Sequence, residues 1–288
     1  MHKVRAKSIL SNDNNMNIYR GCSHGCIYCD SRSLCYNMQH SFEDIEVKEN
    51  ALDLLEDTLK KKRKKVMIFT GSMSDPYIPQ EKELQLTRGA LEIVYKYGFG
   101  ITLLTKSDLI LRDLDLIKKI NRKSKCVVQM TLTCADDYLS RIIEPNVCTT
   151  TTRAKVLKIF SDNGISCVAW INPILPFILD NEENINKLID MLVYAKVKGV
   201  VVFGFGMTLR SGNREYYYYN LDKYFPSLKQ IYINQYSNSY SIVSPKSKQL
   251  LKIFNKRCKE NNIMNDIDQV FSYLKKFEKK EYVQLSLF

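Results

Sequence analysis

The sequence predicts an α/β fold: a partial (β/α)6 barrel of the TIM type with a C-terminal helical extension. Three observations predict it. About six short β-like runs alternate with longer amphipathic segments up to Phe205, which argues for parallel strands joined by helical crossovers. No Gly-x-Gly-x-x-Gly follows the first strand, so a dinucleotide-binding sheet is unsupported. After Phe205 the alternation stops.

Taken in order, residues 18–21 form a short apolar strand before a cysteine cluster. A helix over 44–62 places Ile45, Leu52, Leu55 and Leu59 roughly on one face. The β-like run 66–70 ends at Gly71. A helix over 84–97 stops at Gly98, and a strand spans 101–105. A helix over 111–121 leads to a strand over 126–133. A helix over 150–163 stops at Gly164, and the strand 166–172 is broken by Pro173. The last unit is a helix over 181–198, stopped by Gly199, and a strand over 200–205. Residues 210–244 are rich in Tyr and Asn without clear periodicity, whereas 246–261 and 266–280 read as basic helices. The expected division is a barrel over 1–208, an extension packed on it over 209–280, and a tail peptide over 281–288. In such barrels the chemistry sits at the C-terminal ends of the strands.

Composition narrows the classes. The chain has 288 residues, 45% hydrophobic and 26% charged, which is ample for a core. A disordered tail protein, a collagen-like rod and a small disulfide-stapled domain are excluded. No run of 18 apolar residues exists, and residues 1–11 lack the apolar stretch of a secretory signal. A cytoplasmic protein with no membrane partner is expected. In a reducing compartment, nine cysteines point to metal ligands or catalytic groups rather than disulfides. The formal charge of +12 favours phosphate-rich partners such as nucleic acid.

The strongest signal is Cys22-Ser-His-Gly-Cys26-Ile-Tyr-Cys29, three thiols spaced Cys-x3-Cys-x2-Cys. A structural zinc site needs four ligands and usually a second Cys pair, which is missing. Three thiolates instead suit a four-iron cluster with one iron left open to an exogenous ligand.

Cys22, Cys26, Tyr28 and Cys29 match the signature of the radical S-adenosylmethionine (SAM) superfamily, Cys-x3-Cys-x-aromatic-Cys, and the chain resembles that family. The resemblance implies a [4Fe–4S] cluster held by Cys22, Cys26 and Cys29 after the first strand of a partial barrel. It further implies SAM chelated to the unique iron and cleaved to methionine and a 5′-deoxyadenosyl radical. Gly71-Ser-Met-Ser-Asp75-Pro76-Tyr77, Thr105-Lys106-Ser107, Glu144-Pro145 and Asn213-Arg-Glu-Tyr216 resemble the spore photoproduct lyase-related branch, over residues 16 to about 260. By this resemblance Tyr28 packs near the adenine and Lys106 meets the SAM carboxylate. Ser72, Ser74 and Asp75 border the methionine amino group, and Thr131 hydrogen-bonds the cofactor.

Two positions depart from the lyase. Its cysteine hydrogen donor corresponds here to Ser72 or Met73, and its tyrosine after the third cluster cysteine corresponds to Asp30. A serine O–H bond is too strong to replace a thiol as hydrogen-atom donor, so a different donor or substrate is expected. Cys134 and Tyr77, each past a strand, are the candidates. Cys126, Cys167 and Cys258 read as core, and Cys35 as a bystander near the cluster.

The six basic residues 60–65 join a helix to a strand and so face away from the active end. Arg112, Arg141, Arg153 and Arg210 are better placed for a phosphate, and the tyrosines 216–219 for stacking on bases. The last five residues, Gln284, Leu285, Ser286, Leu287 and Phe288, resemble the short peptide by which bacterial repair and replication proteins bind the DNA sliding clamp. The expected function is a radical SAM enzyme acting on damaged or modified DNA, supplied with electrons by a flavodoxin or ferredoxin. The rivals are a radical SAM enzyme acting on RNA, a peptide or a metabolite, and a non-catalytic DNA- or clamp-associated iron–sulfur protein.

Overall fold

A computed structural model describes residues 1–280. The expected clamp peptide, residues 284–288, lies outside the described residues. The strands are β1 (His2–Val4), β2 (Asn15–Met16), β3 (Tyr19–Arg20), β4 (Glu46–Lys48), β5 (Met67–Thr70), β6 (Gly100–Thr105), β7 (Cys126–Thr131), β8 (Ser166–Trp170), β9 (Gly199–Val201), β10 (Gly206–Thr208) and β11 (Ser241–Val243). The helices are α1 (Ala51–Lys61), α2 (Glu81–Leu84), α3 (Leu86–Tyr97), α4 (Leu114–Lys123), α5 (Asp137–Ile143), α6 (Thr150–Asp162), α7 (Glu182–Tyr194), α8 (Asn213–Tyr224), α9 (Leu228–Tyr236), α10 (Ser247–Glu260) and α11 (Ile267–Lys275). Short 3-10 turns span Asp30–Arg32, Leu34–Tyr36 and Asp108–Asp113.

Six strands form one sheet in the order β2-β5-β6-β7-β8-β9, and every pairing in it is parallel. This is the six-stranded core the alternation predicts. Strand alternation splits the core in two. Cys126, Val128 and Met130 of β7 face the crossover helices and join the large cluster with Leu116, Ile120 and Leu157. Val127, Val168 and Val201 face the concave side, where they meet Val270 and Leu274 of α11. The C-terminal extension therefore fills the open half of the barrel. It also covers the sheet edge, because Met264 pairs in parallel with Gly199 and its carbonyl accepts from the Val200 amide at 2.8 Å. Lys125 fastens the end of α11 by donating to the carbonyls of Tyr273 at 2.6 Å and Lys276 at 3.2 Å.

Three elements differ from expectation. The first barrel strand is Asn15–Met16 and not 18–21; Tyr19–Arg20 leaves that sheet to pair with β4 in a small sheet ordered β1-β4-β3. The start of the expected 44–62 helix is strand β4, because Val47 sits between Lys3 and Tyr19 in that sheet. Residues 210–244 contain two helices and β11, which pairs antiparallel with β10. Among the described residues no helix is long and apolar enough to cross a membrane.

Candidate functional site

A cavity of about 530 Å³ opens at the C-terminal ends of the six strands. Cys22, Cys26 and Cys29 line it, together with Tyr28, Ser72, Ser74, Asp75, Lys106 and Thr131. The cysteine loop is bound down on both sides. Gly21, at φ +84°, passes so close to Phe42 that a Cβ would lie 2.5 Å from its carbonyl oxygen, and that oxygen accepts from the Cys22 amide at 3.1 Å. Further along, the Ile27 amide donates to the Ile143 carbonyl at 3.0 Å and the Asn146 amide to the His24 carbonyl at 3.1 Å. The loop after β5 leaves through Gly71, at φ +86°, where a Cβ would meet the Leu104 carbonyl oxygen at 2.2 Å. That close approach turns Ser72 and Asp75 toward the cysteines.

Asp75 is buried and fully partnered. It accepts from the Thr105 hydroxyl at 2.6 Å, the Tyr77 amide at 2.8 Å and the Lys106 amide at 2.8 Å, and lies 3.0 Å from His24 Nε2. Burial works to raise its carboxyl, but His24, Thr105 and the Lys106 amide outweigh it and hold the group at about 2. Ser74 likewise donates to the Gly21 carbonyl at 2.6 Å. These two side chains hold the loops together. Ser72 is exposed to the cavity, and the Lys106 ammonium stands 5.7 Å from the Tyr28 ring centroid. Among the described residues that ammonium has no carboxylate ion-pair partner. Burial works to lower its pKa, yet the neighbouring Cys26, Glu144 and Cys29 raise it, so it is a cation facing the cavity.

Behind Tyr28 lies a buried network that sequence reasoning missed. The Tyr28 hydroxyl donates to Glu144 Oε1, and Glu144 Oε2 pairs with the fully buried Arg153. Arg153 also donates to the Thr131 carbonyl at 2.6 Å and the Cys148 carbonyl at 3.1 Å. Burial raises the Glu144 carboxyl, but Arg153 and Lys106 lower it further and keep it ionised. Arg153 is thus a strut within the fold and not the expected phosphate ligand. Arg112 is taken up in the same way, by Glu81 at 2.9 Å and Asp113 at 2.8 Å. Arg210 stands at the surface, 3.3 Å from Asp30 and 2.8 Å from the Tyr240 hydroxyl, and Arg141 is exposed.

Neither hydrogen-donor candidate lines the cavity. Tyr77 is fully buried, close to Arg112 and Asp113, and the Cys134 thiol points to the Asp136 carbonyl at 3.2 Å. Among the tyrosines 216–219, Tyr217 is buried in the extension and Tyr216 carries Arg32 over its ring at 3.7 Å. Aromatic residues at the cavity come instead from the last strands. Trp170 ends β8, its indole fixed by Gln129 at 2.9 Å. Phe203 follows β9 and is 61% exposed, the Trp170 and Phe203 rings lie 5.9 Å apart, and Phe271 of α11 stacks on Phe203 at 6.2 Å. Met207, Ile242 and Val243 line the same cavity.

The donor set suits an iron–sulfur cluster. Among the described residues the three cysteine sulfurs do not all lie within 4.8 Å of one another, so at least one pair is farther apart than that. A single tetrahedral zinc holds thiolates about 3.8 Å apart. Three sulfurs around one cavity, with a free cation opposite, fit a larger inorganic body with an anionic co-ligand.

Residues 16–192 match the Radical SAM superfamily. The chain belongs to the radical SAM superfamily. Membership implies an iron–sulfur cluster and SAM. An uncharacterized protein of Methanocaldococcus jannaschii is 38% identical over 174 residues, 60% of this chain and 64% of that protein. The match therefore spans less than two thirds of that relative's length. An uncharacterized protein of Mycobacterium tuberculosis is 29% identical over 250 residues, 82% of this chain and 73% of its own. A spore photoproduct lyase variant with bound AdoMet and dinucleoside spore photoproduct has a similar fold. Its TM-score is 0.61 at 12% identity, covering 88% of this chain and 75% of that one. Streptococcus suis SuiB bound to precursor peptide SuiA gives a TM-score of 0.53 at 13% identity, covering 90% of this chain and 50% of SuiB.

Proposed function

We propose that this chain is a radical SAM enzyme that holds a [4Fe–4S] cluster through Cys22, Cys26 and Cys29 and acts on a base in damaged or modified DNA. The observation that carries the proposal is one cavity at the strand ends lined by the three cysteines, Lys106 and the Ser72–Asp75 loop. When bound, cluster and SAM together supply a one-electron cleavage of the SAM carbon–sulfur bond, which yields methionine and a 5′-deoxyadenosyl radical. The residues of the chain bind, orient and shield. Lys106 offers its ammonium to the SAM carboxylate. Ser72 offers a hydroxyl beside it, and Tyr28 an apolar ring face for the adenine. Asp75 and Ser74 keep the two loops in register. Trp170, Phe203, Ile242 and Val243 keep the mouth apolar, which limits water around a reactive radical.

The DNA substrate is supported by the +12 charge and by the exposed aromatic lip, since base–aromatic stacking is the usual way to hold an unpaired base. The tail 284–288 is proposed to bind the sliding clamp.

Anaerobic reconstitution with iron and sulfide, then incubation with SAM, dithionite and deuterated oligonucleotides, tests this reading. The expected result is 5′-deoxyadenosine that carries substrate deuterium. SAM cleavage without label from any DNA would remove the DNA assignment, and no cleavage at all would remove the enzyme assignment.

A further inference from the structure

A cluster of metal-ligating side chains lies outside the cavity, on the small β1-β4-β3 sheet. His2 belongs to β1 and is opposite Glu46 of β4, while His40 and Asp44 come from the segment that runs from the cysteine loop into β4. The donor atoms of His2, His40 and Asp44 all lie within 4.8 Å of one another. His2 Nδ1 donates to Asp44 Oδ2 at 2.9 Å, and Asp44 Oδ1 pairs with the Met1 ammonium at 2.6 Å; a metal here would displace the Nδ1 proton and open the contact to the ligand–ligand edge of about 3.3 Å that metal bonds of about 2.0 Å impose in a tetrahedron. The two imidazole rings meet edge to face with centroids 4.6 Å apart.

His40 provides a second, independent indication. Its Nδ1 lies 3.0 Å from the Ser41 carbonyl, which can only accept, so Nδ1 carries the proton and Nε2 presents a lone pair. Nε2 is buried without a hydrogen-bond partner, and the nearest carboxylate oxygen, Glu46 Oε2, is 3.5 Å away. A backbone carbonyl that fixes one imidazole nitrogen while the other stays open is the outer-sphere arrangement of metal-bound histidines. Two imidazoles and one carboxylate, with Glu46 adding negative charge, select a borderline divalent ion of the zinc type over calcium or magnesium, which prefer all-oxygen sites.

We propose that His2, His40 and Asp44 form a second metal site, for zinc(II), with water in the fourth position. An ion there would pin residues 40–44 to β1. The consequence reaches the cavity, because Phe42, between those ligands, accepts from the Cys22 amide and packs against Gly21. The site would therefore be a structural clamp on the strap behind the first cluster cysteine.

The test uses untagged, anaerobically reconstituted full chain, equilibrated with zinc sulfate, desalted and analysed for zinc and iron. Expected is one zinc per chain in the parent and in the variant carrying Cys22→Ala, Cys26→Ala and Cys29→Ala, which loses iron. His40→Asn and Asp44→Asn should each weaken zinc binding at least tenfold while retaining iron. Zinc should also raise the melting temperature of the chelator-stripped parent and leave that of His40→Asn unchanged. Equal zinc in the parent and His40→Asn, or zinc lost together with iron in the cysteine variant, would overturn the proposal.

Discussion

Asp75 Oδ2 lies 3.0 Å from His24 Nε2, and this contact joins the loop that carries the cysteines to the loop after β5. The same carboxylate accepts from the Thr105 hydroxyl and the Lys106 amide at the end of β6. One side chain therefore sets the relative positions of the cysteine loop and the cation that faces it. Its charge is favoured where it sits, because three polar neighbours outweigh its burial.

Replacing that carboxylate should separate the two loops. In Asp75→Asn the amide N–H₂ replaces one oxygen and faces a backbone N–H, that of Lys106 at Oδ2 or that of Tyr77 at Oδ1, so a buried donor is left without an acceptor. The expected cost is roughly 2–4 kcal/mol of stability, read as a lower urea midpoint of the apoprotein. Iron retained after reconstitution should fall as well. Unchanged iron and midpoint would show that the loops keep their register without the charge.

The Glu144–Arg153 pair makes a similar demand beneath Tyr28. Both side chains are wholly buried, so Glu144→Gln leaves a guanidinium uncompensated and should cost roughly 3–5 kcal/mol. Adding Arg153→Met removes the orphaned charge, and the double variant should be more stable than Glu144→Gln alone. Urea unfolding of the two singles and the double gives the coupling energy. A double variant no better than the single would mean that Arg153 serves the Thr131 and Cys148 carbonyls more than it serves Glu144.

How much of this was legible follows from where each signal resides. The 150–162 helix carries local marks: Thr149 caps it by accepting from the Thr152 amide, and Gly164 follows it at φ +73°. The cysteine signature is equally local, eight consecutive residues whose spacing states their chemistry. Strand β4 was hidden because three residues, Glu-Val-Lys, become a strand only through Lys3 and Tyr19, distant in the chain. Arg153 was misread for a related reason. A positive side chain at the start of a helix suggests a phosphate site, and only the fold shows Glu144 turned toward it. Phe203 gave no signal, since its exposure depends on how β9 ends and where α11 packs.

Lys106 is the cation whose loss should separate cofactor binding from cluster assembly. Its ammonium faces the cavity and makes no carboxylate ion pair, so Lys106→Met removes a charge while Glu144 keeps Arg153 as its partner. The expected result on the reconstituted protein is unchanged iron and a SAM dissociation constant raised about 10- to 100-fold, the loss of one charge-assisted hydrogen bond. Equilibrium dialysis with labelled SAM measures it. A dissociation constant equal to that of the parent would place the SAM carboxylate elsewhere.

Phe203 tests what the cavity takes in. It is 61% exposed, so truncating it exposes little new core; Phe203→Ala should change stability by less than about 1 kcal/mol. Its neighbours Trp170 and Phe271 hold the ring at the lip, pre-ordered for a planar partner. Stacking of one base on such a ring contributes roughly 1–3 kcal/mol, so the variant should raise the KM for a substrate oligonucleotide about 5- to 150-fold. SAM cleavage without substrate should not change, because Lys106 and the cysteines, not the lip, are proposed to serve that step. Phe203→Tyr, which keeps the ring face, should restore most of the affinity. If alanine and tyrosine weaken oligonucleotide binding equally, the lip does not stack a base. If neither has any effect, the substrate enters past the β10-β11 side of the cavity instead.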